Sequence, residues 1–308
     1  MPRLAFTLAV CLLFTAPRSI SARTDWDSMS PLYLKSLVVL LSSLDSTNEH
    51  FHFVKKEDID LKVVMPGLKV PEGTLGVYID RDNSMYLNRA MLLEGAEELK
   101  RKGTSRKEIP KILAWKTLHI VVHEIRHGMN ARGLVAKKGF RFPVSYIEDE
   151  YIAFIDQMST IHEVLAVRPE LWELERILDI EKNVAILIQA QRHSVDGLKA
   201  LVRAQPRYAK KPSVLSGHKG VLKEVRRRET RFNGLLLKHR EELARKYKDP
   251  VELEYRVKIA MDKFGPTLRD LRDGRKILED ERKYKALRSF VRREMRQVVR
   301  KLESRRAG

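Results

Sequence analysis

The sequence predicts a predominantly helical α+β fold with one small β-sheet. Long stretches, such as 177–188 and 287–302, place apolar residues three or four positions apart, which is the helical period. One short region, 61–88, carries the β-branched and aromatic side chains typical of strands. Charged residues make up 33% of the 308 residues and hydrophobic residues 43%. This composition excludes a disordered chain and a multispanning membrane protein.

Residues 1–22 have the pattern of a secretory signal peptide. Arg3 precedes a short apolar run, Leu4–Ala16, and small residues follow at 19–22. We therefore expect cleavage after Ser21 or Ala22 and export to the periplasm or the extracellular space. An uncleaved anchor, or a lipoprotein modified at Cys11, is the alternative. Cys11 is the one cysteine, which excludes a disulfide framework and a cysteine-ligated zinc site.

The next elements follow from periodicity and turn residues. Residues 31–44 predict an apolar helix with Pro31 near its start. A strand is predicted at 61–65, and a hairpin with arms 76–80 and 84–88 around a polar turn.

Helices are predicted along the rest of the chain. Residues 107–129 are apolar around most of the helical circumference, which indicates a buried helix, and Gly128 or Asn130 is suited to end it. Two further helices are predicted at 147–167 and 170–204.

The net charge of +19 is confined to the last third of the chain. Residues 1–198 contain 26 basic and 26 acidic side chains, so the whole excess belongs to 199–308. The Pro- and Gly-containing segment 205–220 predicts a linker between a domain at 23–204 and a basic helical region at 221–308.

The chemistry is concentrated in one pentapeptide, His123-Glu124-Ile125-Arg126-His127. Two histidines four residues apart project from the same helix face, so both imidazoles can reach one metal ion. Glu124 follows the first histidine and can take a proton from a metal-bound water. A cluster of this kind inside an apolar helix is costly to bury unless it is paired or metallated. An accidental or purely structural cluster is the alternative.

Zinc requires a further protein ligand. The extended pattern HExxHxxGxxH is excluded, because Asn130 and Gly133 occupy its glycine and last histidine positions. An acidic triplet, Glu148-Asp149-Glu150, stands at the start of the next predicted helix. Over about 60–165, the chain thus resembles the zincin-like metallopeptidases of the gluzincin kind, which take a glutamate as third ligand.

This resemblance implies roles for individual residues. His123, His127 and a glutamate would hold Zn²⁺, with Glu124 as the general base, and the hairpin would supply an edge strand beside the cleft. Glu150 is preferred as third ligand because the small Ala153 lets the two helices approach closely; Glu148 is the alternative at the more usual sequence distance. The thermolysin-like signature is not present, which leaves the subfamily open.

Four other residues are weaker candidates. His119 and His162 are expected to have packing or supporting roles, and Tyr146 or Tyr151 is a candidate donor to a developing oxyanion.

Two functions of different class follow from the sequence. The first is an exported zinc metallopeptidase that hydrolyses peptide bonds in a peptide or protein substrate. The alternative is a non-enzymatic, envelope-associated helical protein with a vestigial or structural metal site. In either case residues 221–308 are candidates for binding an anionic envelope or membrane surface, or are simply a solvated face; no nucleic-acid motif is present.

Overall fold

The computed structural model describes residues 26–64, 75–79, 83–140, 142, 146–173 and 194–307. Within these ranges the chain is predominantly helical and contains one three-stranded sheet, which confirms the predicted α+β class. The predicted signal peptide and most of the predicted hairpin turn lie outside the described residues.

The described residues form eleven helices and three strands. In chain order these are α1 (Trp26–Ser43), α2 (Asn48–Lys56), β1 (Asp60–Val64), β2 (Gly76–Ile79), β3 (Ser84–Asn88), α3 (Arg89–Arg101), α4 (Ile109–Lys138), α5 (Ile147–Val167), α6 (Glu170–Glu173), α7 (Val195–Ala204), α8 (Pro206–Ala209), α9 (His218–Lys246), α10 (Pro250–Glu279) and α11 (Glu281–Ala307).

The sheet has the strand order β1-β3-β2. β2 and β3 form the predicted antiparallel hairpin, with Gly76 opposite Leu87, and β1 runs parallel to β3 with Asp60 opposite Ser84. The hairpin and the strand near residue 61 are therefore confirmed. β2 is an edge strand of the sheet as described, and it lies against α4.

Helix α4 is longer than predicted. The expected end near Gly128 or Asn130 is wrong, because the helix continues to Lys138 and ends where Gly139 takes a left-handed conformation, φ 72°. Both inner residues have tertiary partners instead. The ring of Tyr78 packs directly on Gly128, and the amide of Asn130 donates to Asp149.

Three other helices compare differently with their predictions. α5 has the predicted bounds. α1 begins five residues before the predicted start and carries Pro31 inside its second turn. The single helix predicted at 170–204 is wrong at its C-terminal part, because Ser194 is extended and caps the N-terminus of the separate helix α7. Residues 174–193 lie outside the described residues.

The core surrounds the helix that carries the motif. α4 packs against α1 and α5, and the sheet packs on it through β2 and β3. The C-terminal helix α11 contributes Met295, Val298 and Leu302 to the same core and packs along α5. In the part of the chain that the structure describes, no helix is both long enough and apolar enough to cross a bilayer.

The segment predicted as a linker contacts the predicted metallopeptidase domain closely. It contains the short helix α8 and the start of α9. Tyr208 is buried in the core around α4. Val214 is buried in a second core cluster, which includes Leu134, Tyr146 and Phe290. The N–H of Ile147 also donates to the carbonyl of Pro212. This segment therefore forms part of the wall around the first turn of α5.

Candidate metal centre

The candidate site lies between α4 and the first turn of α5. His123 and His127 are one turn apart on α4, and Glu150 faces them from α5. His123 and Glu150 are buried, while His127 keeps 20% of its side chain exposed. The structure thus brings together the two histidines and the preferred glutamate named from the sequence.

The three potential ligand atoms form a compact triangle. The two Nε2 atoms of His123 and His127 are 3.2 Å apart, and Oε2 of Glu150 is 3.6 Å from the first and 3.8 Å from the second. Tetrahedral zinc with bonds of about 2.0–2.1 Å requires ligand separations of roughly 3.3–3.4 Å. The triangle therefore fits this ion after small side-chain adjustments.

The two oxygens of Glu150 have different environments. Oε1 accepts a hydrogen bond from Nζ of Lys211 at 2.6 Å, whereas Oε2 is buried without a hydrogen-bond partner. A buried carboxylate oxygen without a partner carries a desolvation cost. Because this orphaned oxygen is the one that faces both histidines, the donor set fits a bound cation.

Both imidazoles are oriented by hydrogen bonds at their other nitrogen. Nδ1 of His123 is 3.0 Å from Oε1 of Gln157, and Nδ1 of His127 is 2.7 Å from a carboxylate oxygen of Asp149. Asn130 donates to the second oxygen of Asp149 at 2.7 Å. An acceptor at Nδ1 keeps the proton there and leaves Nε2 free to bind a metal, the arrangement typical of protein metal sites.

The electrostatics of the site favour a positive charge. Burial disfavours the charged form of His127, but Asp149, Glu150 and Glu124 outweigh it and raise its pKa to about 10. Burial also raises the pKa of Glu150, yet His127, His123 and Lys211 hold it well below its usual range. The site therefore contains an ionised carboxylate beside a proton that a metal ion can replace.

His119 lies one turn before His123 and supports it indirectly. Nδ1 of His119 is 2.7 Å from Nε2 of Gln157, the amide whose oxygen faces His123. Burial lowers the pKa of His119 to about 3, so it stays neutral. This agrees with the supporting role predicted for it.

Glu124 lies between α4 and the edge strand β2. Its carboxylate accepts a hydrogen bond from the backbone N–H of Tyr78 at 3.2 Å. A Cβ at Gly76 would lie 3.0 Å from the Glu124 side chain, so any larger residue there would push against Glu124. Burial raises the pKa of Glu124, although both histidines lower it. Glu124 is thus a carboxylate with a fixed orientation and increased basicity.

The alternative third ligand, Glu148, is engaged elsewhere. Its buried carboxylate accepts hydrogen bonds from the hydroxyl of Ser213 and from the N–H groups of Val214, at 3.0 Å, and Leu215, at 3.2 Å. These contacts fasten the segment 213–215 to the start of α5. The carboxylate therefore anchors a loop while Glu150 faces the histidines.

The other sequence candidates lie apart from the triangle. His162 is twelve residues beyond Glu150, about 18 Å along the axis of α5. Tyr146 packs against Phe142 in the second core cluster, with ring centroids 5.6 Å apart, and half-buried Tyr151 packs against the first. Among the described residues, neither tyrosine forms a hydrogen bond with His123, His127 or Glu150.

Several residues at the site were missed by the sequence reasoning. Burial and the nearby carboxylates of Glu150 and Glu124 raise the pKa of Tyr208, which places this tyrosine beside the cluster. Lys211 also reaches Glu150 from the same segment. Tyr208 and Lys211 are far from Glu150 along the chain, so no local sequence pattern pointed to them. Gln157 could have been predicted, because it lies seven residues after Glu150 on the same face of α5.

A second group of potential ligands, Glu49, His50 and Asp156, lies between α2 and α5. Two positively charged side chains already pair with Asp156. Nζ of Lys301 is 2.8 Å from its Oδ1, and Nε of Arg126 is 3.1 Å from its Oδ2. His50 also contacts Oδ2 at 2.8 Å. Because these cations neutralise the carboxylate, the group is a buried ion-pair network that joins α2, α4, α5 and α11.

Comparison with known proteins adds no family to this description. No protein-family model, curated protein or solved structure matches this chain.

Proposed function

We propose that this chain is a zinc-dependent metallopeptidase with a zincin-like catalytic domain. The observation that carries the proposal is the triangle of His123, His127 and Glu150, with Glu124 one residue from the first ligand. A site that only holds a metal for structural reasons has no use for an additional oriented carboxylate. Under the alternative, a non-enzymatic protein with a structural or vestigial site, Glu124 would only accept the hydrogen bond from Tyr78 that holds β2 against α4.

Each residue has a distinct task in this proposal. His123, His127 and Glu150 hold the ion, and Gln157 and Asp149 keep the two imidazoles in the binding tautomer. Zinc, when bound, lowers the pKa of a bound water and polarises a peptide carbonyl. Glu124 would accept a proton from the attacking water and pass it to the leaving amine, and its raised pKa suits the uptake of that proton.

The edge strand β2 is the proposed support for an extended substrate. Tyr78 lies on this strand, and its N–H already orients Glu124. An extended peptide that lies along β2 would bring its backbone beside the triangle.

The decisive experiment is Glu124→Gln. The variant should keep the fold and about one zinc per chain, because Glu124 is not a ligand, and should lose at least about 10²–10⁴ in rate. Hydrolysis of a quenched-fluorescence peptide library and metal content by mass spectrometry measure the two quantities. Glu241→Gln, on the exposed surface of α9, is the matched control.

The outcomes separate the two functions. A folded wild type without zinc would refute the metal site. If the wild type binds stoichiometric zinc but is as inactive as Glu124→Gln on every substrate, the result would favour the structural alternative.

Export is a separate part of the proposal. The chain purified from the exported fraction should begin near Ala22 or Arg23. Intact Met1–Ala22 on a cytoplasmic protein would contradict it.

A further inference from the structure

The C-terminal helix α11 has two faces of opposite character. One face is buried against α5 and the second core cluster and is apolar, formed by Leu287, Phe290, Val291, Met295, Val298 and Leu302. On the flank of this face, Lys301 binds Asp156 at 2.8 Å. These contacts fix the orientation of the helix, so its opposite face is a rigid surface.

That opposite face carries a row of arginines. Arg292, Arg296 and Arg300, the arginine row, are exposed and four residues apart, so they follow one another at about 6 Å along the helix. Arg296 and Arg300 direct Nε to the carbonyl one turn back, at 3.3 and 3.4 Å. None of the three forms an ion pair with another described residue.

Other arginines of the basic region are paired. Arg226 binds Glu279 at 3.1 Å, and Arg227 and Arg228 share Glu224, each at 2.8 Å. By contrast, from Arg282 to Leu302 the sequence has one acidic residue, Glu294, and its side chain is buried. A solvated face with interleaved charges thus describes this part of α9 and does not describe the outer face of α11.

The arginine row is unfavourable for the isolated helix. Like charges four residues apart repel each other, and the one exposed carboxylate nearby, Glu303, forms no ion pair with the row among the described residues. Packing of the apolar face holds the helix in place despite this repulsion. The row is therefore a preorganised concentration of positive charge, available to an anionic partner.

We propose that the arginine row docks this protein on the surface of an anionic phospholipid bilayer. Three cations in one row on the same helix face can contact a plane of headgroup phosphates together. The outer face of α11 between 285 and 300 has no exposed aromatic side chain, so it offers no platform for stacking of single-stranded bases. The proposal is independent of the metal site.

Vesicle binding tests this surface. The purified chain is sedimented with vesicles of phosphatidylcholine, or of phosphatidylcholine mixed with phosphatidylglycerol, at about 0.1 M and about 1 M salt. We expect binding to the anionic vesicles at low salt only. Each arginine near such a surface contributes about fivefold in affinity, so a triple Arg292→Gln, Arg296→Gln, Arg300→Gln variant should lose on the order of 100-fold.

The control has the same change of charge at paired positions. A triple Arg226→Gln, Arg227→Gln, Arg228→Gln variant should bind much more tightly than the row variant, and a triple Arg→Lys variant of the row should retain most of the binding. Thermal unfolding of each variant checks the fold.

Three results would overturn the proposal: no wild-type binding to anionic vesicles, equal loss in the α9 control, or unchanged binding in the row variant. A row variant that loses binding to duplex DNA and keeps vesicle binding would identify a nucleic-acid surface instead.

Discussion

Glu148 and Glu150 lie two residues apart on α5 and hold different parts of the molecule. Glu150 directs an unpartnered oxygen towards the histidines, while Glu148 receives three hydrogen bonds from 213–215. A step of two residues along a helix rotates the side chain by about 200°, so the carboxylates of Glu148 and Glu150 face opposite sides of α5. The same acidic triplet therefore supplies a candidate ligand and a loop anchor.

This division predicts opposite phenotypes for two equivalent substitutions. Glu150→Gln should lower zinc affinity by more than the roughly 10–100-fold typical of residues that only support a ligand. Glu148→Gln should keep most of the affinity and lower the free energy of unfolding by about 1–3 kcal/mol, because a buried charge-assisted network is weakened. Competition with a chelating dye and chemical unfolding measure the two effects. Higher zinc affinity in Glu150→Gln than in Glu148→Gln would reassign the third ligand.

At the scale of elements, α4 shows what local sequence predicts well and what it does not. The helical spacing of His123 and His127 was sufficient to bring their nitrogens together, and α5 begins and ends as predicted. Gly128 and Asn130 were misleading because their tertiary partners, Tyr78 and Asp149, outweigh their preference for helix ends. Lys211 reaches Glu150 from 61 positions away, a contact with no local pattern.

The close approach of β2 to α4 makes a further prediction. A Cβ at Gly128 would lie 2.9 Å from the ring of Tyr78, so Gly128→Ala should displace this ring and loosen the strand that donates to Glu124. Overpacking of this kind typically costs about 1–3 kcal/mol. Chemical unfolding measures the loss of stability, and the rate of peptide hydrolysis should fall with it.

Gly133→Ala is the matched control on the same helix. Its added Cβ would be 3.4 Å from the ring of Phe290, and alanine favours the helix by up to about 1 kcal/mol over glycine. We expect its stability to be unchanged or slightly higher. If both variants unfold alike, the packing of Tyr78 on Gly128 does not limit the sequence at this position.

At the scale of the whole molecule, the buried network around Asp156 links the C-terminal helix to the helix of the motif. Burial would raise the pKa of Asp156, but Arg126, His50 and Lys301 outweigh it and hold the pKa well below its usual range. The carboxylate therefore contributes stability above its unfolded pKa of about 3.9, and this stability is lost as the pH falls below that value.

Asp156→Asn should remove this dependence on pH. At neutral pH the variant should lose about 3–5 kcal/mol, because it leaves the buried cation of Arg126 without its carboxylate. Below about pH 4 the difference from wild type should begin to narrow, and it should keep narrowing as the pH falls towards the lowered pKa of Asp156. Unfolding midpoints from about pH 7 down to about pH 2 measure both effects. A constant difference across this range would show that the charge of Asp156 is not the cause.

The contacts of α11 also predict how the chain tolerates truncation. If residues 221–308 were a detachable tail, their removal would leave the peptidase domain intact. However, α11 contributes Met295, Val298 and Leu302 to the core around α4, and Lys301 binds Asp156. Deletion of 281–307 should therefore abolish cooperative thermal unfolding and zinc binding together.

Helices α9 and α10 pack against each other as a helical hairpin. Its distal part is the matched comparison, because its described side chains are not buried in the core around α4. From 231 to 259 no described side chain is buried, and Leu237 and Val251 are 62% and 75% exposed. Replacement of 235–259 by a short glycine-containing turn should shift the melting temperature by only a few degrees and leave zinc binding unchanged. Calorimetry and a zinc titration on the two shortened chains test this. Cooperative unfolding with full zinc affinity after loss of α11 would contradict the dependence of the metal centre on that helix, whereas equal damage from the hairpin deletion would extend that dependence to the whole basic region.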